Sequence, residues 1–148
     1  MAIALLAALF VSAGVGTARS SAGSTAPPTF KVAADARLYV AAKSPGVGRA
    51  AAWVVFRTSP HVSARLTVVR VASQSGRSYA ASGATNCIRS AVPSKSGSTT
   101  LKTGRRYRVS FYSRAGTGQS SPRKLITTRE LTAITFTAPP TGLGTPHC

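Results

Sequence analysis

Leu101-Lys-Thr-Gly-Arg-Arg-Tyr-Arg-Val-Ser-Phe-Tyr-Ser-Arg-Ala-Gly-Thr-Gly-Gln-Ser-Ser121 is the stretch whose reading decides the fold. From Arg106 onward, apolar and polar residues alternate with a period of two. Tyr107, Val109 and Phe111 fall on one side, and Arg106, Arg108, Ser110, Tyr112 and Arg114 on the other. That period belongs to a β-strand with one buried face and one wet face. Thr103-Gly104 supplies a turn into the strand, and Ala115-Gly116-Thr117-Gly118 a turn out of it.

The same stretch resembles the fibronectin type III family. The family pattern is a Leu, a turn Gly, a Tyr, two alternating apolar residues, and then Gly-x-Ser closing a hairpin loop. Leu101, Gly104, Tyr107, Val109, Phe111, Gly118 and Ser120 occupy those positions in the family's spacing. The resemblance covers Leu101–Ser121 alone. It implies an all-β, antiparallel, immunoglobulin-like sandwich of seven strands or slightly more. Tyr107 would be its corner tyrosine at the start of the F strand, with the hydroxyl bonded to backbone just upstream.

Working outward, Arg123–Arg129 and Leu131–Thr137 are expected as the last strands. Within the second the apolar alternation slips once, Leu131 and Ala133 against Ile134 and Phe136, which suggests a bulge or break near Thr132–Ala133. Upstream, Thr29–Ala34 reads as a short first strand and Arg37–Ala42 as a second piece. Arg49–Arg57, with Ala-Ala-Trp-Val-Val-Phe, is the candidate buried B strand, and either Trp53 or Phe56 fills the central aromatic site. Ser63–Ala72 is the expected C strand, closed by a turn at Ser73–Gly76. Tyr79–Ser82 reads as a short edge strand, and Ile88–Val92 and Ser98–Leu101 as two more. Short strands at regular spacing, with turn residues between them, point to an antiparallel sandwich.

Thr25-Ala-Pro-Pro-Thr29 recurs as Thr137-Ala-Pro-Pro-Thr141, and the pair brackets a domain of residues 29–138. Residues 19–28 are then a linker and 139–148 a Pro/Gly tail. Met1–Ala18 has an apolar centre followed by small residues, as in a secretory signal peptide cleaved after Ala18. No Lys or Arg precedes the apolar run, and an uncleaved anchor is the rival reading. The run is marginal for the ~20 residues of a span. The expected location is extracellular or the cell envelope, with no membrane span after cleavage. Cys87 and Cys148 are the two cysteines. In an exported chain an even count favours a disulfide, which here would pin the tail to the domain. Pairing of Cys148 with another chain is the alternative. The absence of cysteine from the B and F candidates favours the fibronectin-like form over a true immunoglobulin domain.

Nineteen Lys plus Arg stand against two acids, Asp35 and Glu130, for a formal charge of +17. Such a charge draws polyanions. Fourteen of the nineteen cations are Arg, a bias that a GC-rich coding sequence also produces. Two carboxylates far apart, and His61 and His147 without ligand spacing, supply neither a paired-acid hydrolase nor a metal centre. A Ser–His–Asp set built from Asp35 and His61 lacks a Gly-x-Ser-x-Gly elbow. The reading is therefore a non-enzymatic chain with no cofactor.

The candidate site is a basic sheet face: Arg106, Arg108, Tyr112 and Arg114, joined by Arg123 and Lys124, with Arg65 and Arg129 as possible neighbours. Guanidinium groups fork onto phosphate, sulfate or carboxylate, and Tyr112 can stack on a sugar or base. The expected partner is an anionic polysaccharide or other cell-envelope polymer, with nucleic acid bound only non-specifically. In bacteria, domains resembling this family often accompany polysaccharide-active enzymes, which admits a glycan-binding role. The alternative is a secreted cationic effector, a toxin or a protein inhibitor.

Overall fold

The computed structural model describes residues 26–43, 50–72, 74–80, 87–93 and 100–137. The leader, most of the linker, the tail and Cys148 lie outside the described residues, as does the turn at residues 44–46. Among the described residues eight strands follow one another: β1 (Lys31–Val32), β2 (Arg37–Ala41), β3 (Ala50–Ser59), β4 (Thr67–Val71), β5 (Gln74–Ala80), β6 (Cys87–Pro93), β7 (Arg106–Arg114) and β8 (Arg123–Phe136). A single 3-10 turn, Ala64–Leu66, precedes β4. The protein is all-β.

The pairing order is β1-β3-β2-β8-β7-β4-β5-β6, and a further pairing of β3 with β6 closes the ring. Every pair is antiparallel except β2 with β8, which run parallel with Leu38 opposite Ala133 and Ala41 opposite Phe136. The sheet is therefore mixed, a correction to the fully antiparallel expectation. The physical reason is that β2 and β1 lie one after the other along a single edge of β3. That arrangement turns the far edge of β2 toward the last strand, and β8 reaches it in the same direction. A parallel pair needs a long connection, and here the whole domain between β2 and β8 provides it.

The interior is built from alternate residues of the ring. Leu38 and Val40 (β2), Ala52, Val54 and Phe56 (β3), Val69 and Val71 (β4), Ile88 and Val92 (β6), Val109 and Phe111 (β7) and Ala133 (β8) all point inward and are buried. Phe56 and Phe111 meet edge to face, with ring centroids 5.0 Å apart and planes at 69°. Phe56 is thus the central aromatic. Trp53, three residues earlier on the same strand, faces outward into a second cluster.

Several local expectations give way to tertiary contacts. The predicted C strand starts as a turn, because the Arg65 N–H donates to Ser63 Oγ (3.4 Å) and Thr67 Oγ1 donates to the Ala64 carbonyl (2.9 Å). The turn expected at Ser73–Gly76 falls earlier, at Ala72, which has φ of 51°. Gly76 sits inside β5, opposite Val69. A Cβ there would stand 2.5 Å from Ser90 Oγ and 2.9 Å from the Ala91 carbonyl oxygen. Its role is close approach to β6, not turning. Nor is β5 an edge: it pairs with β4 and with β6, while Ser82 lies outside the described residues. Thr100 and Leu101 are not in a strand. Leu101 plugs the core instead, at 6% exposure.

The two strands expected at the end are one, β8. Its irregularity is at Ile126, where Phe111 faces Thr127 but Tyr112 faces Leu125. Nothing breaks at Thr132–Ala133. The apparent slip there arises because β8 carries apolar residues on both faces: Leu131 and Ala133 pack on the interior, and Phe136 packs on the outer cluster.

Candidate functional site: the basic outer face of β4, β7 and β8

β7 splits its residues as its alternation requires. Val109, Phe111 and Ser113 are buried, whereas Arg106 and Arg108 are exposed. At its start Lys102 N–H donates to the Tyr107 hydroxyl at 2.8 Å. Gly104, with φ of 81°, forms the turn between them, a conformation that glycine adopts without steric cost. This bond ties the loop to the strand that carries the site. Tyr107→Phe should cost about 1 kcal/mol, the usual net worth of a hydrogen bond. Urea denaturation would read this as a lower midpoint at unchanged slope. An unchanged midpoint would mean that the loop is held without the hydroxyl.

The outer face is read from the register. Arg106 lies opposite Thr132, Arg108 opposite Glu130, Ser110 opposite Thr128, Tyr112 opposite Leu125, and Arg114 opposite Arg123. On the other flank, Ser110 faces Arg70 and Tyr112 faces Val68. The hydroxyls of Ser110 and Thr128 bond across the strands at 3.1 Å. Three zones result. Arg106 and Arg108 lie at one end, and Arg70 flanks the middle beside Ser110. A hydroxyl pair lies in the middle. Tyr112 lies beyond it, between Val68 and Leu125, and Leu125 is 52% exposed.

The predicted residues do not all serve this surface. Arg114 is spent on structure: its Nε and Nη2 donate to the Arg65 carbonyl oxygen at 3.1 and 2.7 Å. That clamp fixes the turn before β4. Arg65 itself is exposed on that turn. Lys124 is exposed but stands opposite Ser113, so it leaves the strand on the other side from Arg123 and Tyr112. Arg129 also leaves the face. Its Nη1 donates to the Ala33 carbonyl at 2.6 Å and its Nη2 to the Val32 carbonyl. Arg106, Arg108, Tyr112 and Arg123 remain together on the outer side.

The face also gains a residue the sequence reading missed. Arg70 is exposed and lies beside Ser110. The signal was available: in Thr67–Val71, Val69 and Val71 point inward, which leaves Val68 and Arg70 outward. Arg70 Nε donates to Ser75 Oγ at 3.4 Å, a long contact that leaves the fork mostly open to solvent.

Both acids are engaged. Asp35 pairs with Arg57 at the turn between β1 and β2. Glu130 lies 3.7 Å from Arg106 Nη1, with both side chains largely exposed. A surface pair of this kind is worth about 0–1 kcal/mol, so Glu130 holds Arg106 only weakly. His61 is exposed. Among the described residues no helix is long and apolar enough to cross a membrane. Comparison with protein-family models, with curated proteins and with solved structures finds no match for this chain.

Proposed function

We propose that this chain is an exported, non-enzymatic binding module that holds an anionic polymer on the outer face of β4, β7 and β8. The observation that carries the reading is the asymmetry of the surface. Arg70, Arg106 and Arg108 converge on one outer face beside a hydroxyl pair and Tyr112. The outer face of β2, β3 and β6 carries Arg37, Arg57 and Arg89 too, but there Arg57 pairs with Asp35, Arg89 is buried, and the aromatic cluster of Tyr39, Trp53 and Phe136 occupies the middle. Arg106 and Arg108, two residues apart on one strand (~6.8 Å), with Arg70 one strand over, suit successive sulfate, phosphate or carboxylate groups of a polymer. Tyr112 and Leu125 offer an apolar platform for the sugar or backbone between them.

The fold we propose within the all-β class is the immunoglobulin-like, fibronectin type III-like sandwich. The Lys102–Tyr107 bond supports it, since a corner tyrosine near the start of the F strand makes such a bond to upstream backbone. So does the order of pairing. β3 between β2 and β6, and β7 between β4 and β8, follow the B strand between A and E and the F strand between C and G. An extracellular or cell-envelope location remains part of the proposal and rests on the apolar leader.

Binding to a sulfated polysaccharide, a phosphate-containing wall polymer, DNA and a neutral polysaccharide, each over a salt series, tests the function. The Arg70/Arg106/Arg108→Ala variant should bind the preferred polyanion at least ~10-fold more weakly. Its salt dependence should flatten by roughly one unit of slope per lost contact. Equal binding by variant and wild type would move the site elsewhere. Retention on the neutral polysaccharide alone would make the aromatic residues the site.

A further inference from the structure

The second apolar cluster lies on the outside of the sheet. Trp53 and Val55 of β3 and Cys87 of β6 form it, with Tyr39 of β2 and Phe136 of β8 packed against them. Phe136 meets Trp53 at 5.6 Å and Tyr39 at 5.9 Å, both edge to face. An outer sheet face normally meets water, yet Trp53 is 6% exposed, Val55 3% and Cys87 2%. Arg89 points to the same side, opposite Val55, and is 6% exposed. Every described residue of the cluster belongs to the sheet itself. A single layer does not by itself bury its own outer face this deeply.

We infer that the cover is the chain's own C-terminal stretch, residues 138–148, lying over Tyr39, Trp53 and Val55 and joined to Cys87 through Cys148. Three observations select it. It leaves the sheet at Phe136, already a member of the cluster. It carries the one other cysteine of the chain. And it has the required reach. Phe136 lies level with Ala41, and Cys87 is paired with Arg57. Three strand spacings across and about six residues along place them roughly 25 Å apart. The twelve residues from Thr137 to Cys148 span up to about 40 Å when extended. That leaves a few residues for the reversal, and Pro139, Pro140 and Pro146 favour an extended run. Leu143 is the segment's aliphatic side chain of core size, suited to the aromatic cleft.

Closing the link removes one proton from each thiol and two electrons from the pair, and forms one Sγ–Sγ bond. The electrons pass to a small disulfide such as oxidised glutathione, which becomes two thiols.

The test uses the full chain, oxidised with glutathione disulfide. Peptide mapping without reduction should find Cys87 joined to Cys148 in a monomer. Trp53 is the single tryptophan, so acrylamide quenching of its fluorescence reports the cover directly. Quenching should rise at least ~3-fold in a chain ending at Thr137, with the sheet's circular dichroism retained. Cys148→Ser provides a milder variant, in which quenching should rise by a smaller factor. A Cys148–Cys148 dimer, or Trp53 equally shielded in Cys148→Ser and in the truncated chain, would overturn the inference. Either result would assign the cover to a second copy or to another segment.

Discussion

Phe111→Ala should lower stability by about 4 kcal/mol, the range for emptying a buried aromatic site. Phe111 is fully buried on the inner side of β7 and packs edge to face on Phe56, 5.0 Å between centroids. The substitution removes the ring's transfer energy, leaves a cavity between β3 and β7, and abolishes an aromatic pair worth about 1 kcal/mol beyond its area. A domain of this size has about 5–15 kcal/mol in total, so the variant is expected to be marginal at room temperature. Phe111→Leu should lose only about 1–2 kcal/mol, because it keeps most of the volume. Urea denaturation at matched protein concentration reads both. A loss below ~1 kcal/mol for the Ala variant would mean that β7 presents its other face to the core, since a one-residue shift inverts every side chain.

Arg129→Met should cost about 2–3 kcal/mol. Arg129 reaches from β8 to the carbonyls of Ala33 and Val32, beside the corner between β1 and β2. Over residues 123–132, β8 has β7 on one edge and no described strand on the other. The guanidinium bridges that opening, as strand pairing does elsewhere in the ring. Methionine keeps the aliphatic stem and its packing but removes both charge-assisted hydrogen bonds, each in the ~1.5–3 kcal/mol class before compensation by water. Arg129→Lys should recover less than half of the loss, because an ammonium has no planar fork to hold two carbonyls at once. Hydrogen exchange at the Ala33 amide, bonded to the Arg57 carbonyl at 2.9 Å, should quicken in the Met variant before global unfolding. A wild-type midpoint would show that the β1–β3 pairing holds the corner alone.

These two residues sit on one short hairpin and differ in how visible their roles are in the chain. Phe111 lies in an alternating run whose period names its face without further information. Arg129 lies in a polar run with no distinctive neighbour, and its partners are 96 and 97 residues away. The same contrast divides the basic face. Arg106, Arg108 and Tyr112 follow from the period of β7, and Arg70 was legible from the period of Thr67–Val71. That Arg114 would clamp the Arg65 carbonyl, 49 residues distant, was not legible. Nor was the side of β8 from which Lys124 leaves, because the extra residue at Ile126 resets the parity of β8 and nothing in the local sequence marks it.

From its sequence alone the chain is determined to be strand-rich, to turn at Thr103-Gly104, to bury the Val109 and Phe111 side of β7, and to carry an excess of cations. Those properties are set by consecutive residues: backbone preference, a two-residue period and charge. The tertiary structure decided the rest. It paired β2 with β8 in parallel, required Gly76 to lack a side chain beside Ala91, and set Trp53 outside and Phe56 inside. It also divided the arginines between holding the fold and facing solvent. Each of these outcomes depends on which distant backbone comes within a few ångströms, and that proximity is created only when the ring of strands closes.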